Sequence, residues 1–146
     1  MAMDSIEALL EREGAYVSVV VGHSMEPMLK ERLDTVMVVP CEKRMKKYDV
    51  ALYRVGDKRV LHRVVKVLPD SYVMCGDNCV ILEHGITDSD VIGRLERAWR
   101  GEKEIALDGF GYKLYSRAKV LGFPIRKLYR RLRGEVGGRI KKIFRK

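Results

Sequence analysis

Three polar residues stand at the ends or within the strand-like segments of this chain, and their types are those of a nucleophilic site. Ser24 follows a β-branched run that stops at Gly22, His62 lies within the segment 58–69, and Asp77 belongs to a Gly-Asp-Asn turn. A hydroxyl is a poor nucleophile until a base takes its proton, and imidazole is mostly neutral at pH 7. A carboxylate fixes the imidazole tautomer and stabilises the imidazolium. These residue types therefore permit acyl transfer if the fold brings them together.

Each of the three also has an ordinary structural explanation. Residues 24–27, Ser-Met-Glu-Pro, form a turn in which proline prevents further strand pairing. His62 could be a half-buried strand histidine that hydrogen-bonds to the backbone, and Asp77 could be a residue that stabilises its turn. Residue type alone leaves both interpretations open.

The elements that would position these residues are mainly β-strands. Asp4 or Ser5 can cap a short helix that ends at Glu13, before Gly14. Residues 15–107 then read as short strands joined by tight turns, with the segments AYVSVVV, DTVMVVP, YDVALYRV, KRVLHRVVKVLP, SYVMC, DVIGRLERAWR and EIAL. The pattern predicts a mostly antiparallel sheet, coiled or barrel-like, in one domain with a real core.

The charge divides the chain into two parts, a domain over residues 1–111 and a basic helical tail over 112–146. The tail has 13 Lys/Arg and one acid, whereas the net charge of the whole chain is +9. The tail mixes these cations with apolar residues, as in GFPIRKLYRRLRG and GRIKKIFRK, which is typical of interfacial helices. An anionic membrane surface is therefore one expected partner, and a solvated basic helical cap is the alternative. Nucleic acid ranks third, because too few residues precede Ser24 for a helix-turn-helix domain.

The N-terminal sequence, the apolar runs and the cysteines indicate the cellular compartment and whether a cofactor is needed. The N-terminus lacks the pattern of an export signal, and no apolar run approaches the ~20 residues of a membrane span. We therefore expect a cytoplasmic protein, peripheral to a membrane if the tail binds lipid. Cys41, Cys75 and Cys79 are expected to be reduced thiols. With His84, two of them offer three ligands at an uncommon spacing, so we predict neither a metal nor a cofactor.

Five segments, in order, resemble the signal peptidase I and LexA-like serine peptidases. GHSMEPML resembles the nucleophile box, KKYDVALYRV the strand after it, and VLHRVVKV the general-base box. MCGDN resembles the Gly-Asp-Asn box and VIGRL the closing strand, so the resemblance extends from Gly22 to Leu95. It implies the coiled antiparallel sheet of that superfamily.

The resemblance also implies a role for each site residue. Most bacterial members use lysine as base, but this chain has His62, as endoplasmic-reticulum and archaeal signal peptidases do. Ser24 would then be the nucleophile and His62 the base, with Asp77 orienting the imidazole. Glu83 is the nearest candidate for the second acid of that branch. The remaining alternatives are Asp88 and Asp90 as acids, and Lys66 as a base on the face of His62.

The expected activity is that of a serine endopeptidase that cleaves an extended signal- or leader-like peptide. The Ser24 N–H would stabilise the oxyanion, because Gly22 stands where some members carry a hydroxyl. Residues 16–21, with Met25 and Met28, are candidate walls of shallow apolar pockets, and core packing is the favoured alternative for most of them. Two alternatives remain: a LexA-like self-cleaving regulator, and a catalytically silent module that binds peptides or membranes.

Overall fold

The computed structural model describes residues 5–144, with side chains described for residues 5–134. The chain begins with helix α1, Ile6–Glu13, whose first turn is capped by the Ser5 side chain accepting from the Ala8 N–H at 3.1 Å. Gly14 ends the helix at φ 75°. The predicted N-terminal helix is thus confirmed, with Ser5 as its cap.

One antiparallel sheet forms a half-barrel and makes up most of the molecule. Its strands run in the order β1-β2-β7-β3-β4-β5-β6, and β8 pairs with β7. The strands are β1 Tyr16–Val19, β2 Asp34–Val39, β3 Val50–Val55, β4 Lys58–Val67, β5 Tyr72–Cys75, β6 Glu83–Ile86, β7 Val91–Arg100 and β8 Lys103–Ile105. The predicted mainly β fold with a barrel-like antiparallel sheet is confirmed. Strand β6 was not predicted.

The sheet separates two apolar clusters because side chains alternate between its faces. The first cluster contains Val20, Met25, Met28, Leu29, Val36, Val50, Leu95 and Ala98, with Leu61 packed against it. The second contains Met45, Ala51, Tyr53, Val64, Tyr72, Met74 and Ile86, with Val60 packed against it. Successive residues of β4 therefore face opposite clusters, which decides where the side chains at 62 and 63 point.

A β-bulge interrupts this alternation near the end of β4. The pairing of β4 with β5 shifts register between Val64 and Lys66, and Lys66 is exposed. Strict alternation along the strand predicted that Lys66 would share the face of His62. The bulge interrupts this alternation before Lys66, so the prediction does not hold there.

The basic segment forms two helices, α2 Phe110–Leu121 and α3 Phe123–Phe144, where two or three short helices were predicted. Tyr112 and Tyr115 of α2 pack against the first cluster. The whole of the amphipathic segment GRIKKIFRK, residues 138–146, lies outside the residues whose side chains are described. Within the described residues, no helix has both the length and the apolarity needed to cross a bilayer.

Candidate active site

Ser24 lies in the loop between β1 and β2, where the extended chain turns away from the sheet. Pairing continues to Val20, whose N–H donates to the Asp34 carbonyl at 2.8 Å. Gly22 then takes φ 88°, a left-handed conformation that glycine adopts at little cost. Its N–H donates to Glu31 Oε1 at 3.1 Å. Glycine is favoured here because a residue with a side chain would be strained at this φ.

The loop around Ser24 is anchored on both sides. Met25 and Leu29 are buried in the first cluster. At the far end, buried Asp34 accepts two hydrogen bonds from Arg100, at 2.8 and 2.9 Å. These hydrogen bonds hold the pKa of Asp34 below its ordinary value against the opposing effect of burial. Ser24 is therefore carried by a loop with fixed ends.

The turn 76–79, which we call the acidic turn, fixes the Ser24 main chain. The Asn78 N–H donates to the Ser24 carbonyl at 2.8 Å, and Asn78 Nδ2 donates to the His23 carbonyl at 3.1 Å. A Cβ on Gly76 would lie 2.6 Å from the Ser24 carbonyl oxygen and 3.0 Å from His62 Cδ2. Those two atoms are therefore separated by no more than the sum of these distances. The Ser24 main chain and the His62 ring therefore both border the space that a side chain on Gly76 would fill.

His62 is buried in β4 with its two ring nitrogens in different surroundings. Nδ1 lies 3.0 Å from the Tyr53 hydroxyl and 3.3 Å from Glu83 Oε1. Among the described residues, Nε2 makes no hydrogen bond, and the adjacent Cδ2 approaches Gly76. Burial lowers the pKa of the His62 imidazole below its ordinary value, although Glu83 and Asp77 oppose this shift. The ring is therefore neutral at pH 7.

Asp77, predicted to orient His62, makes no hydrogen bond to the imidazole within the described residues. Its Oδ1 and Oδ2 accept from Arg63 Nε and Nη2 at 2.8 and 2.9 Å, and Oδ2 also accepts from the Tyr115 hydroxyl at 2.9 Å. Arg63 follows His62 in β4 and so faces the opposite cluster. Burial alone lowers the pKa of Arg63, but the hydrogen bonds and charge of Asp77 raise it above its ordinary value. Asp77 and Arg63 thus form a buried ion pair that ties the acidic turn to β4.

Glu83 occupies the position that was predicted for Asp77. Strand β6 pairs with β5, with Glu83 opposite Met74, and β5 pairs with β4. This pairing carries the carboxylate across to His62 Nδ1. The two later acids are engaged elsewhere: Asp88 accepts from the Tyr72 hydroxyl, and Asp90 accepts from the Thr87 N–H and hydroxyl.

Tyr53 is a site residue that the sequence analysis missed. Its side chain is fully buried in β3, and its hydroxyl bonds His62 Nδ1. Burial, together with the charge and hydrogen bonding of Glu83, raises the pKa of this phenol. A buried tyrosine usually finds a polar partner. A tyrosine in a predicted interior strand next to the histidine strand was therefore the available signal.

A groove of about 700 Å³ opens beside Ser24. Its lining is mostly apolar and comes from two segments and from the neighbouring sheet. The segment before Ser24 contributes Tyr16, Ser18, Val19, Val20, Val21 and Gly22, and the segment before His62 contributes Lys58, Arg59, Val60 and Leu61. Met25, Val36, Val38 and Leu52 complete the lining. Met28, the other candidate wall residue, lies in the core, as the favoured alternative of core packing predicts. Strand β1 ends the sheet order and pairs only with β2 among the described strands. Its other edge has no strand partner among the described strands.

The arrangement permits base catalysis through one nitrogen of His62. With the proton on Nδ1, directed at the Tyr53 hydroxyl and Glu83, Nε2 carries the lone pair beside Cδ2, on the ring edge that approaches Gly76. The described residues show no hydrogen bond between Ser24 Oγ and His62, and such bonds are often formed fully only with substrate present.

Comparison with known proteins finds no family model, no curated protein and no solved structure that matches the chain.

Proposed function

We propose that this protein is a serine endopeptidase in which Ser24 is the nucleophile, His62 the general base and Glu83 the acid that orients it. The proposal depends chiefly on one observation: the Ser24 carbonyl and the His62 ring both approach Gly76, while Glu83 Oε1 lies 3.3 Å from Nδ1 of the same ring. The sheet is, in this proposal, the signal-peptidase type of coiled sheet, as the five ordered segments imply.

Peptide cleavage would proceed by acyl transfer. Ser24 Oγ attacks the scissile carbonyl while His62 Nε2 takes the hydroxyl proton, and Glu83 stabilises the resulting imidazolium. His62 then gives the proton to the leaving amine. Water, deprotonated by the same nitrogen, hydrolyses the acyl-enzyme and regenerates the hydroxyl. The Ser24 N–H, which makes no hydrogen bond within the described residues, is the proposed oxyanion donor.

The substrate is proposed to be a signal- or leader-like peptide in extended conformation. The open edge of β1 offers main-chain hydrogen bonds to an added strand. Val20, Leu52 and Leu61 give the groove an apolar floor and wall. Small apolar side chains next to the cut site suit such a surface.

The test is cleavage of a quenched fluorescent leader-like peptide by purified protein. Ser24→Ala and His62→Ala should each abolish turnover, and a serine-directed phosphonate probe should label only chains that retain Ser24. Ser89→Ala and His84→Ala are matched controls, because both side chains are exposed. They should leave the rate unchanged. Undiminished cleavage by Ser24→Ala would refute the proposal.

A further inference from the structure

Helix α3 carries an apolar stripe that faces solvent. The stripe consists of Ile125, Leu128, Tyr129 and Leu132, whose exposures are 74%, 55%, 61% and 52%. The spacing of three, one and three residues places all four on one helical face. A stripe of this width normally packs against a partner surface.

The charge around the apolar stripe is predominantly positive, and Glu135 is the one acid in the sequence of α3. Residues 110–134, which cover α2 and the first half of α3, contain eight Lys/Arg and no acid. Over residues 123–134 of α3 the cations are Arg126, Lys127, Arg130, Arg131 and Arg133. An anionic bilayer can interact with both features of this helix: its negative headgroups attract the cations, and its apolar interior accommodates the apolar stripe. Nucleic acid satisfies only the charge.

Two arginines at the side of the apolar stripe tie α3 to the acidic turn. Arg126 Nε donates to the Cys79 carbonyl at 3.0 Å, and Arg130 Nη2 donates to Asn78 Oδ1 at 2.6 Å. The Asn78 N–H in turn holds the Ser24 carbonyl. A partner bound to the apolar stripe would therefore be linked, through these hydrogen bonds of α3 to the acidic turn, to the loop that carries Ser24.

We propose that α3 docks on anionic membrane surfaces through the apolar stripe and its flanking cations. Docking then holds the acidic turn and Ser24 at the bilayer surface. Ile81, which is 77% exposed and follows the acidic turn by two residues, adds apolar surface on that side. The proposal goes beyond peptidase activity and does not depend on it.

The test is co-sedimentation of the full Ser24→Ala chain with two kinds of vesicle, pure phosphatidylcholine and phosphatidylcholine mixed with phosphatidylglycerol. Because this chain cannot use Ser24 for catalysis, lipid binding is read separately from cleavage. We expect binding to the anionic vesicles alone, weakening as salt screens the cations. Equal binding to both vesicles, or binding to neither, would overturn the proposal.

Leu128→Glu with Leu132→Glu should weaken binding by about 10- to 100-fold, since each leucine loses its transfer into the apolar phase. Val55→Glu with Val67→Glu, on exposed strand positions of 41% and 37% exposure, is the matched control and should bind normally. An unaffected Leu128/Leu132 variant would exclude the stripe as the contact. Concentration-dependent dimers that this variant abolishes, without vesicle binding by the parent chain, would identify a second copy as the partner and overturn the proposal.

Discussion

Replacing Glu83 by glutamine should impair catalysis without unfolding the protein. The carboxylate lies 3.3 Å from His62 Nδ1, and its side chain is 29% exposed. Glutamine keeps the shape but removes the charge that stabilises the imidazolium. Its amide can also donate to Nδ1, which would favour the tautomer that has its proton on Nε2. That tautomer cannot accept the serine proton.

The size of the effect follows from the distance. Two unit charges this far apart interact by about 5 kcal/mol at an effective dielectric constant of ~20, which is an upper bound for a partly exposed acid. Solvent screening and the remaining Tyr53 hydrogen bond reduce the loss. We expect kcat/KM to fall by about 10²- to 10³-fold, or about 3 to 4 kcal/mol of transition-state stabilisation.

The pH profile provides a second readout of the same change. Burial lowers the pKa of His62, whereas Glu83 raises it. Activity requires the neutral imidazole, so it rises with pH through that pKa. Removing the Glu83 charge should lower the pKa further, which moves the rising limb to lower pH while the plateau falls.

The assay is peptide cleavage across pH by the parent chain and by Glu83→Gln, with Asp88→Asn as control. Asp88 bonds Tyr72, so its loss should leave both the limb and the plateau of the pH profile unchanged. Full activity in Glu83→Gln, or a limb displaced to higher pH, would refute the assigned role of Glu83. Thermal unfolding of both variants should separate catalytic from structural losses.

Two further substitutions test the surroundings of the site. Asp77→Asn leaves the buried charge of Arg63 uncompensated and should lower the free energy of unfolding by about 3 to 5 kcal/mol, measured by urea denaturation; a loss below 1 kcal/mol would mean that the pair is not buried as described. Tyr53→Phe keeps the ring but loses the hydrogen bond to the imidazole. It should cost about 1 kcal/mol of stability and at most ~10-fold in kcat/KM, and an effect as large as that of Glu83→Gln would make this hydroxyl the main orienting group.

The strands were largely predictable because their residues carry local signals. The β-branched run of β2 and the alternation of β3 and β4 are visible in single segments. Strand β6, with the sequence EHGI, has no such signal, since Glu and Gly are poor strand formers. Its pairing with β5 is supplied by the rest of the sheet.

The sequence by itself determined which chemical groups are available: a serine after a strand-ending glycine, an imidazole within a strand, several acids after it, and a basic, amphipathic end. Only the tertiary structure decided which acid meets the imidazole. Neighbouring residues of a strand face opposite sides, so the acidic turn could place Asp77 against Arg63 or against His62. The fold pairs it with Arg63, and the β5–β6 pairing brings Glu83 to His62, because contacts between distant strands depend on sheet register rather than on local sequence.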